Sequence, residues 1–290
     1  MEDPWLKHKE KPIHNLVISG GSIGGLIVAG VWRAMEEYGR HSDIVNIAGC
    51  SVGSIFALLI SLGYNAYELK TVCKNFRYKD YASLNILCMF EKLGLEDGDN
   101  IMRLLKTLTT LKIGSVCEGD KLTFRQLYNI TGRRLHVNAY CIEDDCGAYF
   151  TVDNTPDMPV LLAIRMSIAI PLVLTAVRHN GKTYVDGGLD NVFPISIFPA
   201  ENTLGIRIIN RESVFTEAAS TEVSYDFSDF VLALLKNLYK RLWTGIIGLE
   251  EYRVIEVHTG VSSLSLDINR QDRNRLIDKG YEAASAKLKR

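Results

Sequence analysis

The sequence predicts an α/β fold in which a mostly parallel central sheet is flanked by helices. Near the N-terminus, an apolar run of strand length, a glycine-rich turn and a helical segment follow one another, and the same order is then repeated. Such successive units are typical of parallel strands joined by helices. With 290 residues, 47% of them hydrophobic, the chain is long enough to bury a large core.

The first unit begins with a buried strand over residues 15–19 and continues through GGSIGG into a helix that ends near Tyr38. Gly39 marks that end, because glycine readily adopts the left-handed conformation that often follows a helix. The second unit predicts a strand over residues 43–48 and a helix over residues 52–62.

The apolar stretch 44–62 is as long as a membrane span, for which about 20 residues are needed. Its polar and glycine positions cluster where the strand would turn into the helix. This break in the pattern favours two elements of a soluble core over one membrane helix.

The remaining elements continue the alternation. Residues 64–119 have mostly helical periodicity, and Asp97 or Asp99 is placed to cap a helix there. Extended segments begin at Arg134, and a later strand stops at Asp186. Beyond residue 199 we expect a strand over 204–209, a helix over 227–243, a strand over 253–257 and a terminal helix.

The chain shows no internal repeat and no low-complexity linker. We therefore expect a single domain over residues 1–290. Its motif-bearing core spans about 15–199, and the strands and helices of residues 200–290 complete it.

Charge and cysteine content exclude several classes of protein. The 33 Lys and Arg residues are balanced by 34 Asp and Glu residues, so the net charge of −1 provides no global field to attract a nucleic acid. The six cysteines form no CxxC pair, and no histidines have metal-ligand spacing on one helix face. We expect no structural disulfide, no metal site and no cofactor. Cys141 and Cys146 bracket three acidic residues, which indicates a polar hairpin turn.

The N-terminal tail, MEDPWLKHKEKPIH, is charged and lacks the apolar segment of a signal peptide. We therefore expect the protein in the cytosol.

The segment GCSVGS places Ser51 where the second strand turns into its helix. The flanking Gly49 and Gly53 permit the tight, strained turn that presents a nucleophile in GxSxG motifs. A helix N-terminus behind the serine would favour a negatively charged intermediate. Because glycine and serine are common in turns, the motif alone leaves an ordinary turn open.

The GGSIGG loop can direct successive backbone N–H groups into one concavity. A dinucleotide-binding loop would need glycine at Ser22, and a P-loop would need lysine at Leu26, so both phosphate-binding interpretations fail. The interpretation that remains for this loop is an oxyanion hole beside Ser51.

Two residues are candidates for the base that activates Ser51. Asp186 ends a strand and is followed by Gly187 and Gly188, which free it into a cleft. Alternatively, Ser51, Asp186 and His258 follow the chain order of an α/β-hydrolase triad. Nucleophiles of that fold lie deeper in the strand order than the second strand, which favours a histidine without a special role.

Together, GGSIGG, GCSVG, SIAIP at residues 167–171 and DGG at residues 186–188 resemble the motifs of the patatin-like phospholipase family in order and spacing. Four ordered motifs are far more specific than one. The resemblance covers about residues 15–199 and implies the three-layer sandwich of that family.

The resemblance also implies roles for individual residues. Ser51 would be the nucleophile and Asp186 the base of a dyad without histidine. The nucleophile elbow would include Gly49, Cys50, Val52 and Gly53, and the oxyanion loop would consist of Gly20, Gly21, Ser22, Ile23, Gly24 and Gly25. The implied reaction is hydrolysis of acyl esters of phospholipids or related lipids through a Ser51 acyl-enzyme, with a protein activator left open.

The chain departs from the family in the oxyanion loop. The family usually has three glycines, a variable residue, a lysine or arginine, and a glycine, whereas here Ser22 replaces the third glycine and Gly24 replaces the basic residue. The backbone donors can remain, but a positive charge is lost. An alternative is therefore a protein with weak or no activity that binds lipid or a protein partner.

A lipid hydrolase must also reach a membrane. Residues 227–248 combine leucines and aromatic residues with Lys236, Lys240 and Arg241, a composition compatible with peripheral contact at a bilayer interface. An amphipathic helix packed on the core shows the same pattern and is the favoured interpretation.

Overall fold

The structure is a computed structural model that describes residues 3–76, 93–210, 248–261 and 268–289. In these ranges the helices are α1 (Pro4–Lys7), α2 (Ile27–Glu37), α3 (Val52–Ser61), α4 (Ala66–Asn75), α5 (Asp99–Ile113), α6 (Phe124–Thr131), α7 (Val160–Ser167) and α8 (Arg270–Leu288). The strands are β1 (Asn15–Ile18), β2 (Asn46–Cys50), β3 (Gly94–Glu96), β4 (Arg134–Cys141), β5 (Cys146–Phe150), β6 (Leu172–Leu174), β7 (Val177–His179), β8 (Lys182–Asp186), β9 (Thr203–Ile209) and β10 (Arg253–His258).

The main sheet has the strand order β10-β9-β1-β2-β4-β8-β7, and β5 also pairs with β4. The strands from β10 to β4 run parallel, whereas β5 and β8 pair antiparallel with β4, and β7 pairs antiparallel with β8. Strands β3 and β6 form a separate parallel pair. The predicted α/β fold with a mostly parallel sheet is confirmed, and its antiparallel strands lie on one side.

The register of the sheet brings the two glycine motifs together. Ile18, the last residue of β1, pairs with Gly49 in β2, so both strands end at the same edge of the sheet. The GGSIGG loop and Ser51 therefore leave the sheet side by side.

The central strand β1 is buried over its whole length. Leu16 and Ile18 belong to the large core that includes α2, α3, α7 and α8, whereas Val17 belongs to a smaller cluster with Phe193 and Ile195 on the opposite face. A strand covered on both faces is expected where parallel strands are joined by helices.

The second strand begins later than predicted. Val45 is 42% exposed, and the strand starts at Asn46, whose side-chain amide donates to Asn15 Oδ1 over 2.8 Å. The Asn15 amide donates in turn to Thr203 Oγ1 over 3.2 Å. This polar row marks the start of three adjacent strands, and β2 continues through Gly49 and Cys50 into the turn.

Other sequence-based expectations can be compared directly. The N-cap of α5 is Gly98, not Asp97 or Asp99, although the Asp97 carboxylate accepts the Asp99 N–H over 3.0 Å. The β4–β5 hairpin confirms the predicted turn, and Cys141 and Cys146 lie opposite each other in it as free thiols.

The helix expected over residues 227–243 lies outside the described residues, as does the segment compatible with a bilayer interface over residues 227–247. No helix in the described ranges is long and apolar enough to cross a bilayer.

Helices α2 and α8 pack with their backbones in contact. A Cβ atom at Gly30 would collide with the carbonyl oxygen of Ile277, and one at Gly280 would collide with that of Ile27. Because a short 3₁₀ helix (Ser22–Leu26) contains the last four residues of GGSIGG and leads directly into α2, this contact also supports the loop.

Gly280→Ala is expected to lower the free energy of unfolding by about 1–3 kcal/mol, because the added methyl group has no space at the backbone contact. Chemical denaturation followed by circular dichroism measures this change. Glu282→Ala, on the exposed side of the same helix, is the matched control and should change stability by less than about 0.5 kcal/mol. Equal stability of both variants would contradict the proposed close packing.

Candidate active site

Ser51 lies in a strained turn between β2 and α3, with φ of 52° and ψ of −129°. Positive φ is uncommon for a residue other than glycine and is often found at functional sites. The flanking glycines are required by close contacts. A Cβ atom at Gly53 would collide with the carbonyl oxygens of Ile18 and Ser19, and one at Gly49 would collide with the carbonyl of Gly53.

The backbone of Ser51 is held on both sides. Its N–H donates to Ser167 Oγ over 2.9 Å, and its carbonyl accepts the Ser54 N–H over 2.8 Å and the Ser54 hydroxyl over 2.6 Å. None of these bonds uses the Ser51 hydroxyl, which stays available for chemistry.

Asp186 ends β8 and is 1% exposed. Its Oδ1 accepts the Gly188 N–H over 2.8 Å. Oδ2 is buried and accepts no hydrogen bond of good geometry from the part of the chain that the structure describes, yet the Ser51 hydroxyl lies close enough to affect the carboxylate.

The environment of Asp186 makes its carboxylate more basic. Burial raises the pKa of Asp186 from 3.8 to about 6, while the nearby Ser51 hydroxyl and the hydrogen bond from the Gly188 N–H oppose that rise. Desolvation is the larger effect because water cannot stabilise the buried charge. A carboxylate with this pKa accepts a proton more readily than an ordinary aspartate and is still mostly ionised at neutral pH.

The SIAIP segment connects the two residues. Ser167 Oγ accepts the Ser51 N–H, and the carbonyl of Ala169 accepts the Asp186 N–H over 2.9 Å. The motif supported the family resemblance, but the sequence assigned it no role. Ser167 could therefore be noticed from the sequence as part of SIAIP, but only the structure identifies the Ser51 N–H as its partner.

The structure shows which backbone N–H groups of the GGSIGG loop already donate hydrogen bonds within the protein. The Gly20 N–H donates to the carbonyl of Val192 over 2.9 Å, and the Gly24 N–H donates to that of Gly21 over 3.0 Å. Neither group is available to an oxyanion, which corrects the expectation that the whole loop supplies donors. Gly21, the N-cap of the 3₁₀ helix, donates no backbone hydrogen bond among the described residues and remains a candidate.

An apolar cavity of about 140 Å³ adjoins Ser51. Ser51, Val52 and Ser22 line it, and most of the other lining residues are apolar side chains such as Phe56 and Leu105. Such a cavity excludes water and suits a hydrocarbon chain. The described residues contain no cluster of His, Cys, Asp or Glu that could hold a metal ion.

The structure separates His258 from Ser51. It is exposed at the end of β10, which lies three strands from β2, or about 14 Å at about 4.8 Å per strand. His179 pairs with Lys182 at the end of β8 opposite to Asp186. Neither histidine is placed to form a triad with Ser51 and Asp186.

Ser167→Ala is expected to lower the free energy of unfolding by about 1–3 kcal/mol, because it leaves the buried Ser51 N–H without its acceptor. Ser61→Ala is the matched control: Ser61 is fully buried, but its hydroxyl has no hydrogen-bond partner among the described residues, so little change is expected. Denaturant titration of both variants checks the difference. A loss as large in Ser61→Ala as in Ser167→Ala would contradict this role of Ser167.

In the comparison with known protein families, residues 16–199 fit the model for patatin-like phospholipases. The chain is 31% identical over 194 residues to a protein named probable lipid hydrolase 463L, from Invertebrate iridescent virus 6. This alignment covers 65% of the chain and 64% of the viral protein. The chain is also 24% identical over 302 residues to uncharacterized protein R571 of Acanthamoeba polyphaga mimivirus, covering 97% and 96% of the two chains.

Two solved structures show the same fold. VipD from Legionella pneumophila superposes with a TM-score of 0.60 at 18% identity, over 96% of this chain and 67% of VipD. ExoU, in its heterodimeric complex with SpcU from Pseudomonas aeruginosa, gives a TM-score of 0.55 at 17% identity, over 96% and 51% of the two chains. The family model covers more than half of the chain, and the site places GGSIGG, GCSVG, SIAIP and DGG around one serine; the chain thus belongs to the patatin-like phospholipase family of lipid hydrolases.

Proposed function

We propose that this protein hydrolyses fatty-acyl esters of phospholipids or related lipids, with Ser51 as nucleophile and Asp186 as base. The observation that carries the proposal is the position of a strained serine between a buried carboxylate of raised pKa and an apolar cavity. The single domain expected from the sequence is part of the proposal, since β9 and β10 join the same sheet as the motif-bearing strands.

In the first half of the reaction, Asp186 accepts the hydroxyl proton while Ser51 Oγ attacks the ester carbonyl carbon. The resulting tetrahedral intermediate carries a negative charge on the former carbonyl oxygen. When it collapses, the ester C–O bond breaks, and the departing alcohol takes the proton from Asp186. The acyl chain is then bound covalently to Ser51.

In the second half, Asp186 accepts a proton from water while the water oxygen attacks the acyl carbon. Collapse of this intermediate releases the fatty acid, and Ser51 Oγ regains the proton from Asp186. The dyad returns to its starting state without a metal or a redox cofactor taking part in any step.

The oxyanion of each intermediate would accept hydrogen bonds from backbone N–H groups. Gly21 would supply one from the loop, and Val52, the first residue of α3, would add an N–H that intrahelical hydrogen bonds leave unused. The N-terminus of α3 adds a favourable dipole. These donors do not require the basic residue that Gly24 replaces.

The apolar cavity would hold the acyl chain, and the polar head group would remain outside it. The name of the viral relative, probable lipid hydrolase, supports the same substrate class. We include contact with the periphery of a membrane in the proposal, because phospholipids are presented there.

Ser51→Ala and Asp186→Asn are expected to reduce fatty-acid release from mixed phospholipid vesicles by at least about 100-fold. His258→Ala should retain wild-type release, because His258 lies on a distant strand. Circular dichroism verifies folding. Since burial disfavours the Asp186 charge, Asp186→Asn should be at least as stable as the wild type at pH 8, which separates chemical from structural loss.

Two outcomes would contradict the proposal. Loss of release in His258→Ala would support the triad that the geometry disfavours. Folded wild type that binds vesicles without releasing fatty acid would favour the alternative, a lipid-binding protein with no activity.

The rate is expected to depend on pH through Asp186. Below its pKa of about 6 the carboxyl group is protonated and cannot accept the Ser51 proton, so kcat/KM should rise with pH and reach half its maximum near pH 6. Hydrolysis of a soluble short-chain ester between pH 4.5 and 8 measures this profile. A half-maximum near pH 4, where an ordinary aspartate titrates, would contradict the role of burial.

A further inference from the structure

A second cavity, of about 50 Å³, lies at the edge of the sheet where the parallel strands begin, next to the first residue of β10. Half of its eight lining residues are basic and none is acidic. The basic residues are Lys9, Arg40, Arg253 and Lys287. Because the chain as a whole carries a net charge of −1, this concentration of positive charge is a local feature of the fold.

The four cations come from four separate segments of the chain. Lys9 follows α1, Arg40 follows α2, Arg253 begins β10, and Lys287 lies in the last turn of α8. A lysine in a last helical turn is expected, because it interacts favourably with the helix dipole. That explanation does not extend to a guanidinium group at the start of a strand. The tertiary structure, and not a run of basic residues, brings these charges together.

Arg253 is a buried cation without a carboxylate partner in the described part of the chain. It is 3% exposed, and its Nε is buried without a hydrogen-bond partner among the described residues. Its terminal nitrogens donate to the carbonyls of His8, Lys11 and Glu201 over 3.2, 3.0 and 2.8 Å. Carbonyl groups supply dipoles but no countercharge, whereas a buried charge is normally paired with an ion of opposite sign.

A second guanidinium group lies close to that of Arg253. Burial and, to a smaller extent, the positive charge of Arg40 lower the pKa of Arg253 from 12.5 to about 10. Lys287 Nζ lies 5.9 Å from the centroid of the Trp5 ring, a contact that also brings no countercharge. Within the described ranges, no ion pair joins any of the four cations to a carboxylate. Their mutual repulsion is therefore not relieved by an acidic side chain there.

The chemistry of the lining favours a phosphate group over other anions. Guanidinium groups present N–H donors in a planar fork that matches phosphate oxygens, and several cations together suit an anion with more than one charge. The other lining residues, such as Trp5 and Ile13, are apolar, and apolar walls strengthen electrostatic attraction by excluding water. The volume of about 50 Å³, against about 140 Å³ beside Ser51, suits a small group and not an acyl chain.

We propose that Lys9, Arg40 and Lys287, around the buried Arg253, form a binding site for a phosphate group, either of a soluble phosphate or of a lipid head group. The site is separate from Ser51. Through β9 and β1, Arg253 is in register with Ile47 of β2, four residues before Ser51. The two sites are thus about 13 Å apart along the strands and about 14 Å apart across them. Phosphate binding here does not depend on the proposed hydrolase function.

Thermal unfolding of the full chain in sodium phosphate, compared with sodium chloride of the same ionic strength, tests the site. Phosphate should raise the Tm of the wild type by about 2–4 °C more than the Tm of Arg40→Gln or Lys287→Gln. The comparison between variants is the readout, because phosphate also stabilises proteins by being excluded from their surface. Arg253 itself is left unchanged, since it holds three backbone segments together.

Arg178→Gln is the matched control. Arg178 is exposed on β7, at the other end of the sheet from β10, and it forms no ion pair with a described residue. Its substitution removes the same charge and should leave the response to phosphate at the wild-type value. An equal response in the wild type, Arg40→Gln and Arg178→Gln would indicate a general salt effect and would overturn the inference.

The stability of Arg40→Gln without phosphate supplies an independent readout. In sodium chloride alone this variant should have a Tm at least as high as the wild type, because it removes the repulsion between Arg40 and Arg253. A merely structural role of Arg40 predicts the opposite sign. A lower Tm in chloride, combined with a wild-type response to phosphate, would refute the site.

Sedimentation with vesicles distinguishes the two sources of phosphate. The vesicles contain equal parts of phosphatidic acid, whose head group is a bare phosphate, and phosphatidylcholine. If the ligand is a lipid head group, the wild type and Arg178→Gln should sediment several-fold more than Arg40→Gln. Equal sedimentation of all three, with the Tm difference retained, assigns the site to a soluble phosphate. Ser51→Ala should behave as the wild type in both experiments, and loss of its response to phosphate would contradict a separate site.

Discussion

The contact between Gly53 and the end of β1 is the constraint on which the site depends. With no side chain at this position, the first turn of α3 lies directly against the carbonyls of Ile18 and Ser19. Any larger residue would push the helix away from the sheet and separate Ser51 from the GGSIGG loop. The positive φ of Ser51 follows from the same geometry, because the chain must reverse sharply between β2 and a helix packed this closely.

Around this contact, the site is held by segments that are distant in the sequence. The SIAIP segment binds the backbone of Ser51 through Ser167 and that of Asp186 through Ala169. The loop is tied to the ends of β9 and β10 through Asn210 and Thr259. Ser51, Asp186 and the loop are thus each held through their backbone groups, and these hydrogen bonds do not use the Ser51 hydroxyl or the Asp186 carboxylate.

Burial determines the chemical properties of Asp186 and of the cavity beside Ser51. The same exclusion of water that raises the pKa of Asp186 would strengthen hydrogen bonds to an oxyanion and make the cavity suitable for an acyl chain. A carboxylate can act as base without histidine under these conditions, because the desolvated anion is a better proton acceptor than an exposed one. The buried charge of Asp186, in turn, lowers the stability of the fold at neutral pH.

The sequence by itself determined the two strand–turn–helix units, the serine between close-packed glycines and the aspartate at a strand end. These features depend on local sterics and on periodicity over a few residues. Only the tertiary structure decided where β2 begins, which N–H groups of the loop are already used and how far His258 lies from Ser51. It also decided that Ser167 and Asn210 hydrogen-bond to the site. Each depends on which strands are neighbours in the sheet, and the hydrogen bond from Ser51 to Ser167 joins residues 116 positions apart, a separation at which local patterns carry no information.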